Sequence, residues 1–289
     1  MDLPRLLVLC AGVLFATGGA ALKLTRGFEA LDVAGLRSGI AALVLLLVVR
    51  ESRGRPSLRT LMVAVPYAAT LLLFATANRL TTSANAVFLQ STAPIWLTVL
   101  SPLLLRERVR PRDLGVLSML VLGASLFFVA SDASSAIASD PPLGNLLAGA
   151  SGLTWAFTVL GLRALGRKQS GEAARAAALG NALALCATLP FLHFDALAAA
   201  PVGDWIVLAW LGTFQVGLAY VLLTHAVRSV PALDATLLLM VEPALNPVFT
   251  FLVHGERPAA LAIVGGLVIV AALLCKTLLD ARRLPIPRS

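Results

Sequence analysis

Runs of about twenty apolar residues, divided by short polar turns, follow one another along the whole of this chain. They fall at about 5–23, 32–50, 57–78, 84–105, 113–131, 143–163, 173–192, 203–225, 231–253 and 259–279. A helix needs roughly 20 apolar residues to cross the hydrocarbon of a bilayer, and a spanning helix satisfies its own backbone hydrogen bonds where no water is available. The pattern predicts an all-α membrane protein with ten transmembrane helices, and leaves no room for a soluble domain.

Part of the pattern occurs twice. NRLTTSANAVFLQSTAPIWLTVLSPLLLRER (78–108) returns as VRSVPALDATLLLMVEPALNPVFTFLVHGER (227–257) at one constant offset, without gaps. Arg79 falls on Arg228, Ala86 on Ala235, Leu89 on Leu238, Pro94 on Pro243, and Glu107-Arg108 on Glu256-Arg257. A fainter echo joins LLVLCAGVLFA (6–16) to LLAGASGLTWA (146–156), which puts Gly12 on Gly152 and Phe15 on Trp155. The expectation is a duplication, with a first five-helix repeat in 1–135 and a second in 140–289. Five is odd, so the second copy enters the membrane with opposite polarity. Two inverted five-helix repeats imply a site near the midplane where they meet.

Composition agrees with lipid as the solvent. With 58% hydrophobic residues, 13% charged and a mean hydropathy of +0.89, a soluble domain would expose far too much apolar surface. The first run has small residues near its end, as a signal peptide would. Weakly basic flanks and nine further runs favour reading it as a retained helix. Cys10, Cys186 and Cys275 all lie inside apolar runs, without metal-like or paired spacing, and are read as small packing residues.

The net charge of +8 suggests nucleic acid until its distribution is considered. Eighteen of the 23 lysines and arginines fall on the side of the N-terminus, and five (Lys23, Arg26, Arg37, Arg79 and Arg257) on the other. That is the positive-inside bias. It places both termini in the cytoplasm, in a multi-pass protein of the inner membrane, and no nucleic-acid partner is expected.

Candidate chemistry comes from polar and helix-breaking residues within the runs. Pro94 and Pro243 sit near the middle of the two repeated segments and free the carbonyls of Gln90 and Leu239; Pro102 and Pro247 lie further along and do not align. Such kinks should face protein or a wet cavity. They serve either as static bends repaired by a nearby hydroxyl or as hinges and cavity walls. Gln90 and Pro94, Phe74 and Asn78, and Glu242 and Asn246 are pairs four residues apart, each on one helix face. Intramembrane amides and carboxylates are candidates for substrate contact, or for hydrogen bonds that hold the bundle together. Glu242, opposite Ala93 in the other repeat, can bind an ammonium group or carry a proton.

Trp155 lies mid-helix, where the interfacial aromatic belt does not account for it. With Phe15, Phe214 and Tyr220 it can wall an aromatic chamber, ordinary helix packing being the alternative. Lys23 and Arg37 are expected to snorkel toward the outer ends of their helices. Without a midplane cation, sugar phosphates and nucleotide sugars are disfavoured as substrates.

These residues resemble a known family. The Lys ending the first run, Arg37 in GLRSGIAALVLLL, and the junction SANAVFLQSTAPIWLTVLSPLLLRERVRPRDLGVLSMLVLGASLFF are similar to the EamA type of the drug/metabolite transporter superfamily. The resemblance covers essentially the whole chain, twice over. Within the superfamily the chain looks most like the YddG-type exporters of aromatic amino acids. The resemblance implies a central cavity lined by helices 1, 3, 4, 6, 8 and 9, with helices 5 and 10 peripheral.

An enzymatic alternative is an intramembrane serine protease, from the string Gly149-Ala150-Ser151-Gly152 with His225 as base. Such Gly/Ala/Ser strings arise by chance in membrane helices, and the matched segment of the first helix has no serine. No H-E-x-x-H and no Walker motif occurs, so neither a metal, a cofactor nor ATP coupling is expected. A channel would need a filter-like repeat, which is missing. The expected activity is secondary transport, outward, of amino acids or amphipathic metabolites by alternating access. A broad drug or metabolite exporter, or a scramblase-like or structural membrane protein, is the alternative. Proton coupling and facilitated diffusion both stay open, as do monomer and homodimer.

Overall fold

A chain with few polar side chains and a backbone that must pair with itself folds as helix, and no strand occurs among the described residues. The structure is a computed structural model that describes residues 2–22, 24–81, 83–131, 140–169, 171–255 and 260–281. Helices α1 (Leu3–Leu22), α2 (Ala30–Val48) and α3 (Leu58–Leu80) lead to the pair α4 (Ser83–Gln90) and α5 (Ala93–Leu105). Then come α6 (Pro111–Ser131), α7 (Pro141–Lys168), α8 (Glu172–Thr188) and the short α9 (Phe194–Ala199). A composite helix follows: α10 (Val202–Trp210), a π-helical stretch (Leu211–Leu218) and α11 (Ala219–Ala226). After it come α12 (Ala232–Leu239), α13 (Val241–His254) and α14 (Ala260–Ala281).

Among the described residues, 8 stretches are long and apolar enough to cross a membrane. The expectation of ten goes two further, to α6 and α14, which have 21 and 22 residues. Leu47, Leu103 and Leu252 are exposed by 70%, 71% and 70% on the outside of the bundle, an apolar surface that lipid covers. The three cysteines also face outward as free thiols, which corrects their reading as packing residues.

Between helices the contacts are made by small side chains, as expected where the hydrophobic effect cannot drive association and close approach must. Ala41 of α2 and Ala176 and Ala177 of α8 are fully buried. On the same crossing, a Cβ added at Gly39 would lie 2.8 Å from Leu185. Where α6 meets α14, a Cβ at Gly123 would lie 2.8 Å from the Gly265 carbonyl.

Most of the ion pairs and several interhelical polar contacts among the described residues lie at two ends. At one end Lys276 Nζ lies 2.7 Å from Asp234 Oδ1 and 3.2 Å from Asp113 Oδ1, and Arg5 approaches Asp234 at 3.7 Å. Beside them Glu107 accepts from Arg163 Nε at 2.8 Å and from the Ala232 amide at 3.0 Å. Arg163 Nη1 in turn donates to the carbonyls of Val227 and Arg228 at 2.8 and 2.6 Å. Arg175, at the start of α8, donates to the carbonyl of Glu51 at 2.7 Å. The basic residues at this end therefore do more than orient the chain: several tie helix ends together.

At the opposite end His193 Nδ1 is 3.3 Å from Asp32, and Asp204 accepts from the Gly27 amide at 2.6 Å. There His254 Nε2 is 2.9 Å from the Ala20 carbonyl and Thr81 donates to Asn145 at 2.8 Å. These contacts fix helix directions. α1 runs parallel to α12–α13, joined by Arg5 to Asp234 at one end and Ala20 to His254 at the other. α2 with α8, α3 with α7, and α6 with α14 are antiparallel. α1 also packs on α11 and the π stretch, while α7 packs on α3 and on α4–α5.

Candidate functional site

The two repeated segments are broken where their central prolines fall. α4 ends at Gln90, a turn occupies Ser91 and Thr92, and α5 restarts at Ala93 with Pro94 in its first turn. Proline lacks the amide that Gln90 would use, and its ring disfavours helical geometry in the residue before it. In the turn, the Ser91 hydroxyl donates to the Val87 carbonyl at 2.7 Å and that of Thr92 to the Leu89 carbonyl at 2.6 Å, neither of them the Gln90 carbonyl that the proline frees. The second segment breaks at Met240, between Leu239 and Val241, three residues before Pro243.

A glycine from a facing helix lies against each break. A Cβ added at Gly152 of α7 would lie 2.8 Å from the Leu89 carbonyl and 3.1 Å from that of Gln90. A Cβ at Gly12 of α1 would lie 3.6 Å from Leu239 Cα and would crowd Val241. These are the two glycines paired by the sequence echo. The third small contact is Gly19 of α1, on which the Asn246 amide rests.

Tyr220, 4% exposed, is the hub of an aromatic cluster. Ring centroids lie 5.3 Å away for Phe15, 4.7 Å for Tyr67 and 6.2 Å for Trp155, in edge-on or tilted contacts favoured by ring quadrupoles. The cluster joins α1, α3, α7 and α11. Phe15, Trp155 and Tyr220 were read from the sequence; Tyr67 was not. The signal was available, because the chain has only 2 tyrosines and each sits deep in an apolar run. The Tyr67 hydroxyl accepts from Asn181 Nδ2 at 2.6 Å, a buried amide that the sequence reading also passed over.

Other expected members lie elsewhere. Phe214 is 39% exposed and stacks on Trp210 at 4.5 Å, outside the cluster. Phe74 packs with Ala77, Ala86 and Ala148, between α3, α4 and α7. Pro94 is buried and Gln90 half-buried beside the first break. The side chain of Asn78 lies outside the described residues, as do Lys23 and Glu256-Arg257.

Glu242 stands half-buried in the first turn of α13, just past the second break, and makes no hydrogen bond or ion pair among the described residues. The expectation that Arg37 snorkels outward is corrected. Arg37 is 7% exposed, and its Nη1 donates to Gln215 Oε1 at 3.5 Å. Its backbone is pinned against the π stretch, where a Cβ at Gly212 would lie 2.9 Å from the Arg37 carbonyl. That leaves the guanidinium in the interior, within electrostatic reach of Glu242, Tyr67 and Tyr220. Ser151 is fully buried and donates to the Ala148 carbonyl at 2.7 Å, and no histidine bonds to it among the described residues. An intramembrane serine protease is not supported.

An apolar helical bundle with broken helices around a buried aromatic and charged centre defines a multi-pass membrane transporter. The EamA-like transporter family matches residues 3–129 and again residues 142–277, so the chain belongs to that family. Members of this family are transporters, not enzymes. The chain is similar to an uncharacterized transporter of Archaeoglobus fulgidus, 26% identical over 86% of this chain and 87% of the relative. It is also similar to the uncharacterized transporter YxxF of Bacillus subtilis, 23% identical over 65% of this chain and 59% of the relative. A protein crystal structure, 19% identical, has the same fold with a TM-score of 0.79, covering 96% of this chain and 98% of that one.

Proposed function

We propose that the protein exports aromatic or other amino acids across the inner membrane by alternating access between two inverted five-helix repeats, with both termini cytoplasmic. The observation that carries this reading is the arrangement at the centre. Two proline-broken segments, each faced by a glycine of the other half, flank a cluster of four rings with an unpaired carboxylate beside it. Rings suit the apolar body of the solute, Glu242 its ammonium, and the breaks supply the hinges about which the halves rock.

The inverted repeat, with α6 and α14 as additional crossings, is supported by how helices pair. Count α4–α5, α10–α11 and α12–α13 each as one segment and α9 as none, then shift the numbering by five. The contact of the first segment with the ninth becomes that of the sixth with the fourth, and first-with-eighth becomes sixth-with-third. Second-with-seventh and fifth-with-tenth map onto themselves. All of these pairings occur. The same topology predicts that single cysteines beside Arg79 and Arg228, in a protein cleared of its native thiols, react from opposite sides of the membrane. Labelling of both from one compartment sinks the inverted repeat.

Transport is tested with purified protein in liposomes. Labelled tryptophan is expected to equilibrate faster than in protein-free liposomes, with other amino acids competing according to affinity. Comparing runs with and without an imposed pH gradient separates proton antiport from facilitated diffusion. If no amino acid moves but lipophilic cations or other amphipathic drugs do, the second reading replaces the first. That reading, a broad drug or metabolite exporter, is favoured by the tolerance of an aromatic wall for any amphipathic body.

A further inference from the structure

We propose that Arg37 binds the carboxylate of the transported solute, so that the site takes a zwitterion: carboxylate toward Arg37, ammonium toward Glu242, apolar body against Tyr220 and Trp155. The proposal rests on the reading of the chain as an amino-acid exporter and adds the residue that selects for a free carboxylate.

A guanidinium has five N–H donors and stays charged at any physiological pH. Burial within a membrane bundle is costly for it unless partners take up those donors. Arg37 has one hydrogen bond among the described residues, the 3.5 Å contact of Nη1 with Gln215, and its Nε is buried with no partner. Nor does it close an ion pair with Glu242, which lies within its electrostatic reach and itself lacks a partner among the described residues. A structural salt bridge would bring the two charges together. A cation and an anion held apart, each short of hydrogen bonds, instead suit a ligand that presents the opposite charges in turn.

The surroundings narrow the choice. Gln215 is held by α1, since a Cβ at Gly18 would lie 2.7 Å from its Nε2. The amide therefore presents Oε1 to Arg37 and keeps the guanidinium turned inward. Gln215 sits in the π-helical stretch, a rare local geometry that recurs at functional sites. A nearby carboxylate and two phenols make a poor environment for a phosphate dianion, whereas a carboxylate paired with its own ammonium is neutral overall. Arg also matches a carboxylate in two parallel hydrogen bonds, which a lysine at this position would not offer.

The test measures uptake of labelled tryptophan by proteoliposomes in the presence of unlabelled tryptophan, tryptamine, which lacks the carboxylate, and indole-3-propionate, which lacks the ammonium. Tryptophan is expected to compete at concentrations at least about tenfold lower than either analogue, the scale of one lost charge-assisted hydrogen bond. Tryptamine competing as well as tryptophan overturns the role of Arg37 and leaves the exporter reading intact. If the wild-type protein moves neither tryptophan nor any other amino acid, both readings fall. In Arg37→Gln, checked for folding by its elution from a sizing column, half-saturating tryptophan is expected to rise at least about tenfold. An unchanged value in the folded variant also overturns the proposal. If the variant does not fold, the wild-type series decides alone.

Discussion

Glu242→Gln, reconstituted in liposomes, is expected to carry labelled tryptophan about tenfold to a hundredfold more slowly than wild type while eluting from a sizing column as the native protein does. The size follows from chemistry. A hydrogen bond to a charged group contributes roughly 1.5–3 kcal/mol, and each 1.4 kcal/mol is a factor of ten. Folding should survive, because Glu242 holds no ion pair or hydrogen bond among the described residues whose loss would orphan a buried group. Glutamine keeps the volume and removes only the charge. Trp155→Ala should slow transport too, by removing one wall of the cluster around Tyr220, and Trp155→Phe should restore part of it. Wild-type rates in both Glu242→Gln and Trp155→Ala remove the site from this part of the molecule.

Lys276→Met is expected to destabilise the protein by about 3–5 kcal/mol, the usual result of removing one partner from a buried ion pair. Lys276 is 2% exposed and lies between Asp113 and Asp234, so the variant leaves two buried carboxylates facing each other across the missing charge. Asp113 belongs to the start of α6 and Asp234 to the start of α12, so the loss is felt at the junction of helices far apart in sequence. Thermal unfolding in detergent, followed by loss of the monodisperse peak, measures it. Adding Asp234→Asn to Lys276→Met should recover part of the loss, since an amide is cheaper to bury than an unpaired carboxylate. No recovery in the double variant means that the cluster is not held by charge.

The ionic cluster at one end and the aromatic centre divide the labour of the fold. Arg163, tied to Glu107 and to the Val227 and Arg228 carbonyls, joins the turn after α5 to the turn before α12. These turns follow one broken segment and precede the other. The contacts therefore join both broken segments at the same end of the bundle.

By itself the sequence determined the all-helical class, most of the long apolar helices with their approximate ends, and, through Pro94 and Pro243, where the two repeated segments are broken. The physical reason is the solvent. In a bilayer apolar length specifies a helix, and a proline cannot take part in the ladder whatever its neighbours do. Phe15, Trp155 and Tyr220 were legible for the same reason, as large or polar rings at depths where a belt does not need them. Only the tertiary structure decided which way each side chain turned. A hydropathy pattern gives depth along a helix but hardly its rotation, so Arg37 looked free to snorkel and Phe214 looked inward. Tyr67 with Asn181, and Lys276 with Asp113 and Asp234, meet across 114, 163 and 42 residues of chain. Contacts at such separations leave no local periodicity in the chain. They are fixed by the close crossing of alanine and glycine faces, which brings a lone polar side chain of one helix against that of another.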